Sequence, residues 1–331
     1  MSVTIVFGGQ YGDEGKGKTA HFFAVKEKAK YCVRVGSSNS DHTVYRGDEK
    51  IIFHILPTGV IEKSVTAVLP AGSYIDLEAL WEDMRAGGVT DDRLLIDENA
   101  VVLSAEDRQA EVESNLQKRI GSTNSGTGAA VAKRLSRQSD KILAKNCEKL
   151  KKYICDTKSI LRNACTKGEK IIIEGTQGYG LSLLHAKDYP YTTSRDTSAA
   201  GALSETGLSP FDVENIVMVI RVLPIRVAGE SGPLKNEITW DILKEELGCS
   251  QEIAEYTSCT KLLKRVARFD ADIVKRSILC NKPNIVVVNH LDLLPNNNAK
   301  RKMLIKEFRE NIGMDIDYIG IDGKSLLEVI E

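Results

Sequence analysis

The residues with the strongest chemical pattern lie near the N-terminus, where Gly8–Thr19 reads GGQYGDEGKGKT. Within this run, Gly12–Thr19 matches the pattern G-x-x-x-x-G-K-T, in which backbone N–H groups of a glycine-rich loop surround phosphate oxygens. Lys16 and Lys18 add positive charge, and a helix that begins here would add the favourable potential of its N-terminus. The pattern therefore predicts a site for the phosphates of a nucleotide.

Two adjacent carboxylates, Asp13 and Glu14, interrupt this run. They would repel a triphosphate unless a cation lay between them, so we expect an acid here to bind Mg²⁺, to accept a proton from a substrate, or to do both. The sequence shows no clear apolar strand ending in Asp, which would hold the metal in an ordinary phosphate-loop NTPase. A plain alternative is a strand-to-helix turn in which Asp13 only caps the helix.

Such a loop requires a strand before it and a helix after it. Met1–Phe7 is rich in β-branched residues and predicts a short buried strand, and the stretch His21–Val25 predicts a helix. Further strands are predicted by short apolar runs at Val33–Val35, Ala67–Leu69, Ile171–Ile173, Ile216–Val222 and Ile285–Val288.

Helical spacing is clearest in a Lys-rich stretch that ends near Gly168, where the apolar residues are Ile142, Leu143, Leu150, Ile154 and Leu161. Strands separated by helices predict an α/β fold, with a mostly parallel central sheet flanked by helices. The sequence contains eight prolines and shows no repeat and no linker, so we expect residues 1–331 to form a single domain.

The composition argues against several classes of protein. Of 331 residues, 45 are Lys or Arg and 46 are Asp or Glu, and this balance is unlike that of a nucleic-acid binder. No apolar run approaches the roughly 20 residues of a membrane helix, and the N-terminus does not resemble a signal peptide. The seven cysteines lack metal-ligand spacing and predict reduced thiols. We expect a cytoplasmic protein that binds neither nucleic acid nor membrane.

The sequence resembles the adenylosuccinate synthetase family, whose opening signature G-x-Q-[WFY]-G-D-E-G-K-G-K stands here as Gly8–Lys18. Further family motifs are matched in the same order by Asn39–Val44, His54–Gly59, Gly121–Gly128, Glu174–Gly178 and Tyr189–Ser194. The chain is similar to the compact subgroup, which includes viral enzymes that make the 2-amino analogue. The resemblance implies a large, mostly parallel sheet with long active-site loops, and a homodimer that serves purine nucleotide biosynthesis.

The resemblance also implies a ligase reaction in two steps. GTP phosphorylates O6 of IMP, and the amine of L-aspartate then displaces phosphate, which gives adenylosuccinate and GDP. In this comparison Asp13 is the base that removes the N1 proton and also a ligand of Mg²⁺, His42 is the acid at the transferring phosphoryl group, and Lys16 stabilises that group. Asp41 stands at the position whose backbone carbonyl is a second metal ligand.

The family's binding residues carry over to three groups of positions. The triphosphate and its base would be bound by Gly12, Asp13, Glu14, Gly15, Lys16, Gly17, Lys18, Asp41, His42, Thr43, His290, Leu291 and Asp292. The purine monophosphate would be bound by Asn39, Thr123, Gln177 and Thr193, together with Arg137, which would reach across a two-fold interface. Candidates for binding aspartate are Thr260, Lys261, Lys264 and Arg265.

The chain departs from the family pattern at Asp41, at Ser37 and Ser38 just before Asn39, at His290 and in the aspartate loop. Asp41 replaces a glycine, and its carboxylate beside phosphates needs a cation or an N–H donor. His290 replaces a lysine that packs on the base of GTP, whereas Asp292 keeps a carboxylate that can accept hydrogen bonds from guanine. The aspartate loop, Thr260–Arg265, carries fewer arginines than the family's loop.

The identity of the purine stays open at this point. Asp13 favours IMP, because several viral relatives that accept dGMP carry Ser there. Ser37, Ser38 and Asp41 favour dGMP or GMP instead, since they would offer space and an acceptor for a 2-amino group, with ATP or dATP as a possible donor in place of GTP. Two alternatives from other classes are a phosphate-loop NTPase switch, supported by Gly12–Thr19 alone, and an inactive homologue. The later motifs favour the ligase, because a switch has no need of them.

Overall fold

The computed structural model describes residues 1–137, 139–248, 253–257, 261–293 and 298–329. The α-helices of these residues are α1 (Lys16–Lys26), α2 (Leu77–Gly87), α3 (Ala105–Glu113), α4 (Leu116–Ile120), α5 (Thr127–Ser136), α6 (Thr157–Thr166), α7 (Ala199–Thr206), α8 (Trp240–Leu247), α9 (Ala271–Asn281) and α10 (Asn298–Ile312). The strands are β1 (Val3–Gly8), β2 (Tyr31–Arg34), β3 (His42–Arg46), β4 (Glu49–Phe53), β5 (Thr66–Leu69), β6 (Tyr74–Ile75), β7 (Leu94–Asp97), β8 (Val101–Val102), β9 (Ile154–Cys155), β10 (Ile171–Glu174), β11 (Val213–Arg221), β12 (Ile225–Arg226), β13 (Glu237–Ile238), β14 (Arg265–Ala267), β15 (Ile285–Asn289), β16 (Tyr318–Ile319) and β17 (Leu327–Glu328).

A ten-stranded sheet dominates the described part of the chain, in the order β17-β16-β15-β11-β1-β10-β2-β5-β7-β9. Its neighbouring strands run parallel, except that β16 and β17 are antiparallel. Smaller sheets are formed by β12-β14-β13, β3-β4 and β6-β8. The predicted α/β fold with a mostly parallel central sheet is therefore confirmed, and the six predicted strands are β1, β2, β5, β10, β11 and β15.

Both faces of β1 are buried, which explains its uninterrupted apolar sequence. Ile5 and Phe7 face one core cluster, together with Ile171 and Met218 of the neighbouring strands. Val6 faces the opposite cluster, which contains apolar residues of α1. Alternate side chains thus fill two layers, and β1 is fixed at the centre of the sheet.

The carboxyl ends of five adjacent strands meet at one edge of this sheet, because parallel strands point the same way. These ends are Gly8 of β1, Arg34 of β2, Glu174 of β10, Arg221 of β11 and Asn289 of β15. The loops that follow these strands carry most of the candidate site residues. In α/β sheets this edge is the usual place for a ligand.

The prediction of one helix between Ile142 and Gly168 is wrong. The chain forms 3₁₀ turns at Ala144–Asn146 and Glu148–Tyr153, then pairs β9 with β7, and only then begins α6. Asp156 ends the irregular stretch, since its carboxylate accepts a hydrogen bond from the backbone N–H of Ser159 at 3.0 Å and caps α6. No helix in the described residues has the length and apolar character needed to span a membrane.

Candidate active site

The glycine-rich loop runs from the end of β1 to the start of α1. Gly15 caps α1 with a φ of 85°, and a Cβ atom at this position would lie 2.7 Å from Nδ2 of Asn289. Nδ2 of Asn289 donates to the Glu14 carbonyl at 2.9 Å. A side chain at position 15 would therefore disturb the contact by which β15 holds the loop.

Glu14 and Lys16 form a buried ion pair inside the loop, with 2.7 Å between Oε2 and Nζ. The other carboxylate oxygen of Glu14 accepts hydrogen bonds from the backbone N–H groups of Gln10 at 3.1 Å and Gly12 at 2.9 Å. The Glu14 carboxylate thus accepts hydrogen bonds from two backbone N–H groups of the loop. To contact a phosphoryl group, the ammonium of Lys16 must either bridge Glu14 and that group or break its ion pair with Glu14.

Asp13 lies at the tip of the loop with a φ of 57°, and its side chain is 45% exposed. Its Oδ2 lies 2.7 Å from Nζ of Lys264. Desolvation raises the pKa of Asp13, but Lys264 and Arg221 lower it by more, so that the net shift is downward. Asp13 is therefore a carboxylate at neutral pH, as both a metal ligand and a base must be.

Lys264 and Arg221 also meet a second acid, Glu255. Glu255 forms an ion pair with Arg221 and lies 3.5 Å from Nζ of Lys264. Burial raises the pKa of Glu255, but Arg221 and its neighbours lower it to about 2. The backbone carbonyl of Asp13 accepts a hydrogen bond from Nη1 of Arg221 at 3.1 Å, so the tip of the loop is tied to the end of β11.

His42 is buried at the start of β3, and its Nδ1 bonds to the carboxylate of Glu174. Glu174 also accepts hydrogen bonds from the N–H and the hydroxyl of Thr58, both at 2.8 Å, and lies 3.5 Å from Arg34. With Nδ1 engaged, Nε2 is the ring atom left to meet a substrate. The N–H and the hydroxyl of Thr58 and the guanidinium of Arg34 thus hold the Glu174 carboxylate, and this carboxylate orients the ring of His42.

The His42–Glu174 pair lies against the glycine-rich loop at Gly8–Thr19, which is called the phosphate loop from here on. The hydroxyl oxygen of Thr58 also lies 2.7 Å from the Gly17 carbonyl, so its one hydrogen is shared between this carbonyl and Glu174, and a Cβ atom at Gly17 would lie 2.9 Å from Cβ of His42. Burial lowers the pKa of His42 to about 4, with help from Arg34 and against the opposing effect of Glu174. His42 is therefore neutral in this state, and the negative charge of a bound phosphoryl group would raise its pKa.

The carboxylate of Asp41 accepts a hydrogen bond from the imidazole ring of His54. Oδ1 of Asp41 lies 2.6 Å from Nδ1 of His54, and this contact raises the pKa of His54. The backbone N–H of His54 is in turn bonded to Asp83. Asp41 is thereby fixed to the loop after β4, one residue before His42.

The monophosphate candidates lie on loops that approach one another. Asn39 follows β2 and Gln177 follows β10, and these strands are neighbours in the sheet. Gln177 has a φ of 58°, and its buried Oε1 has no hydrogen-bond partner among the described residues. Thr193 donates its backbone N–H to the Leu181 carbonyl at 2.8 Å, and Thr123 is exposed. A partnerless buried acceptor such as Oε1 of Gln177 suits a ligand that donates hydrogen bonds.

Arg137 lies apart from this group. It is exposed at the carboxyl end of α5, where its φ is 55°. The amino end of the same helix is joined to the loop after β2, because Oγ1 of Thr127 donates to Oγ of Ser37 at 2.8 Å. Arg137 therefore has the exposure that a residue serving a neighbouring subunit needs.

The candidates for the base of the triphosphate follow β15. Nε2 of His290 lies 3.1 Å from the Asp13 carbonyl, Leu291 is buried, and Asp292 is exposed. Lys18 is buried nearby and donates to the Asp322 carbonyl at 2.7 Å, and burial lowers the pKa of Lys18 to about 8. The turn at 320–325 thus joins this part of the site. This turn was not predicted as part of the site, although its Gly-Ile-Asp-Gly run is a turn signal.

The aspartate candidates separate in the structure. Thr260 lies outside the described residues, and Lys261 is exposed with a φ of 53°. Lys264 meets Asp13, as described above. The side chain of Arg265 instead forms an ion pair with Glu237, with 2.7 Å between Nε and Oε1. Lys264 is therefore the candidate cation that lies beside the phosphate loop.

A metal such as Mg²⁺ fits this site if substrate supplies most of its ligands. No group of three or more His, Cys, Asp or Glu side chains in the described residues could hold a metal by itself. Asp13 offers one ionised and accessible carboxylate beside a phosphate loop, and Mg²⁺ is commonly bound by one or two carboxylates with phosphates and water. The side chain of Asp41 is engaged by His54, so this residue would contribute its backbone carbonyl.

Comparison with known proteins gives consistent matches. The adenylosuccinate synthetase family model matches residues 5–144 and 140–302. The adenylosuccinate synthetase of Methanosphaera stadtmanae is 33% identical over 345 residues, covering 100% of this chain and 98% of the relative. That of Methanococcus vannielii is 34% identical, covering 100% and 99%.

Two solved structures resemble the fold over nearly its whole length. The succinoaminodeoxyadenylate synthetase of cyanophage S-2L, bound to dGMP and to dATP as an energy donor, has a TM-score of 0.84 and 27% identity, covering 99% of this chain and 95% of that one. The fully ligated adenylosuccinate synthetase of Plasmodium falciparum has a TM-score of 0.87 and 21% identity, covering 99% and 100%, and shows likeness of fold.

Proposed function

The chain belongs to the adenylosuccinate synthetase family, a family of ligases, and on that premise we propose that it joins L-aspartate to a 6-oxopurine nucleoside monophosphate at the expense of GTP. The observation that carries the proposal is the contact of the His42–Glu174 pair with the phosphate loop. A switch protein needs the loop alone. A loop with a carboxylate at its tip and a buried imidazole beside it suits phosphoryl transfer to a weakly nucleophilic oxygen.

In the first step, Asp13 takes the N1 proton of the purine, and O6 attacks the γ-phosphoryl group while GDP leaves. Lys16 and His42 would stabilise the charge on the transferring group. Mg²⁺, held by Asp13 and the carbonyl of Asp41, would neutralise the phosphates. In the second step, the amine of aspartate attacks C6, phosphate leaves, and the amine loses a proton, which gives adenylosuccinate when the purine is IMP.

IMP is the purine that we propose. The archaeal relatives named adenylosuccinate synthetase are more similar in sequence than the phage enzyme bound to dGMP. Two features that favoured a 2-aminopurine are also accounted for within the chain. The carboxylate of Asp41 is bonded to His54, and the hydroxyl of Ser37 is bonded to Thr127. The second candidate is dGMP or GMP, with ATP or dATP as a possible donor, and it rests on the likeness to the phage enzyme, which is bound to dGMP and dATP.

A panel of substrates tests the choice of purine. Values of kcat/KM for IMP, GMP and dGMP, each with GTP, ATP and dATP, should be highest for IMP. Asp41→Gly should leave the order of the three purines unchanged, because its carboxylate faces His54. A tenfold or greater preference for dGMP or GMP in the wild type would instead assign the chain to the 2-amino reaction.

Assembly and location form part of the same proposal. We propose a homodimer in which Arg137 completes the monophosphate site of its neighbour, in keeping with its exposure at the end of α5. We further propose that the enzyme works in the cytoplasm and without nucleic-acid or membrane partners. Its substrates are small, charged nucleotides and an amino acid.

A further inference from the structure

Arg195 is a buried cation to which the family resemblance gave no role. Its side chain is 9% exposed, and its Nη2 forms an ion pair with Glu205. Nε and Nη1 of Arg195 have no hydrogen-bond partner among the described residues. Buried N–H groups of this kind are costly unless something accepts their hydrogen bonds.

A second buried donor lies beside Arg195. The hydroxyl of Thr176 likewise has no partner within the described residues. A Cβ atom at Gly36 would overlap both Nη1 of Arg195 and Oγ1 of Thr176, so both atoms lie against the same glycine. Gly36 has a φ of 103°, a conformation that already favours glycine. We call the Nη1 N–H of Arg195 and the hydroxyl of Thr176 a donor pair, because both lie against Gly36 and both lack an acceptor among the described residues.

This donor pair lies among the candidates for binding the purine monophosphate. Gly36 begins the loop that carries Asn39, Thr176 precedes Gln177, and Arg195 follows Thr193 by two residues. The amino end of α5 approaches the same place, since a Cβ atom at Gly128 would lie 3.8 Å from Cβ of Ser194. The two donors are therefore part of the same loop cluster.

A purine nucleoside monophosphate in this loop cluster would bring negative charge that a buried cation could balance. A phosphate monoester carries close to two negative charges at neutral pH. The in-chain candidates Asn39, Thr123, Gln177 and Thr193 are neutral. Burial raises the pKa of Glu205 to about 7 against the opposing effect of Arg195, so Glu205 cancels only part of the guanidinium charge near neutral pH.

We propose that Arg195 binds the phosphate of the purine nucleoside monophosphate through Nη1, with the hydroxyl of Thr176 as its neighbouring donor. Glu205 holds the guanidinium from the other side. This inference rests on the proposed function, because it assumes that a purine nucleoside monophosphate enters this loop cluster. It adds an in-chain cation to a site for which the sequence supplied only Arg137.

Equilibrium binding of a nucleotide and of its nucleoside separates the phosphate from the rest of the ligand. Arg195→Met should weaken binding of IMP, or of dGMP if that is the substrate, by about tenfold to a hundredfold. Binding of inosine or deoxyguanosine should change by less than about twofold. Arg162→Met is the matched control, because Arg162 pairs with Asp212 at the surface, and both affinities should stay at the wild-type value.

Three results would contradict the inference in distinguishable ways. Equal loss for nucleotide and nucleoside in Arg195→Met would show a structural role in the loop, and no loss for either would show no role. Where thermal unfolding shows that Arg195→Met does not fold, Arg195→Lys serves instead, and it should weaken nucleotide binding alone, by a smaller factor. A wild-type protein that binds no purine monophosphate would contradict the proposed function itself.

Discussion

At the scale of single residues, the proposed role of His42 depends on how Glu174 holds its imidazole ring. A buried carboxylate is costly unless it is fully bonded, and here the N–H and hydroxyl of Thr58, the imidazole of His42 and the nearby Arg34 meet that need. The pair therefore fixes the ring and leaves Nε2 as the atom that would meet the proposed phosphoryl group. Glu174 also opposes the effect of burial on the pKa of His42. It is a positioning residue whose charge favours the imidazolium form.

Replacing Glu174 by glutamine removes this charge while keeping the size of the side chain. We expect kcat to fall by about tenfold or more, because the acid form of His42 becomes harder to reach. The loss of activity on raising the pH should also begin at a lower pH than in the wild type, since Glu174 raises the pKa of His42. The measurement is kcat as a function of pH.

The control is Glu62→Gln, which removes the carboxylate of a partly exposed pair, 2.9 Å from His21. It should keep the wild-type pH profile. A Glu174→Gln variant with an unchanged profile would show that the charge of Glu174 plays no part in catalysis.

The sequence could reveal the types of residue at the site better than their contacts. The glycine-rich run and its acidic pair pointed to phosphate chemistry near Asp13 without any structure. The partner of His42 could not be found in this way, because Glu174 lies 132 positions further along the chain. The bond between Asp41 and His54 was equally hidden, since β3 and β4 bring the two together. The catalytic and binding roles of these residues stay predictions.

At the scale of elements, the phosphate loop is shaped by the strands beside β1. Asn289 of β15 bonds to the Glu14 carbonyl, and Arg221 of β11 bonds to the Asp13 carbonyl. Both contacts are made within the chain, so the proposed binding of a nucleotide would require little further ordering of the loop, which lowers the entropy cost of binding. Gly15 allows the closest of these approaches, because any side chain there would meet Asn289.

Gly15→Ala should damage the loop, whereas Gly88→Ala should not. Both glycines have positive φ values, 85° and 63°, so either alanine costs about 1–2 kcal/mol of folding stability. Position 88 has open space around it, whereas the new Cβ atom at position 15 would meet Asn289. We expect KM for GTP to rise about tenfold or more in Gly15→Ala alone. Equal KM values in the two variants would contradict this role of the β15 contact.

The strands were predictable from the sequence where both of their faces are buried. The six strands that the sequence predicted are short and rich in β-branched residues because helices cover both faces of the sheet. The stretch from Ile142 to Gly168 was misjudged, since its apolar residues serve two 3₁₀ turns, an edge strand and a helix in succession. A periodic pattern cannot show where one element ends and the next begins.

At the scale of the whole molecule, the strand order gathers five strand ends, and with them the proposed sites for both nucleotides, at one edge of the sheet. Among the candidates for the monophosphate site, Arg137 lies apart from this edge, exposed at the end of α5. A site that lacks its arginine until a second chain supplies it would be active only as a dimer. The assignment of residues 1–331 to one domain stays a prediction.

Hybrid dimers test the shared site. Arg137→Leu and Asp13→Asn should each be nearly inactive alone, and mixing them should restore part of the activity. In a hybrid, one site combines an intact Asp13 with an intact Arg137 from its partner. No recovery, with exchange of subunits verified by mass spectrometry, would show that Arg137 serves no neighbouring site.

Sustained release of GDP tests the proposed ligase reaction. With GTP and Mg²⁺ present, the purified protein should release GDP over many turnovers only when both a 6-oxopurine nucleoside monophosphate, IMP first, and L-aspartate are added, because the monophosphate alone supports at most one equivalent of GDP per site. Asp13→Asn should lower that rate by about 10²–10⁴-fold with thermal unfolding close to wild type. Release of GDP at the same rate without the monophosphate would show an NTPase switch, and no release under any combination of substrates and donors would show an inactive homologue. Either result would contradict the account.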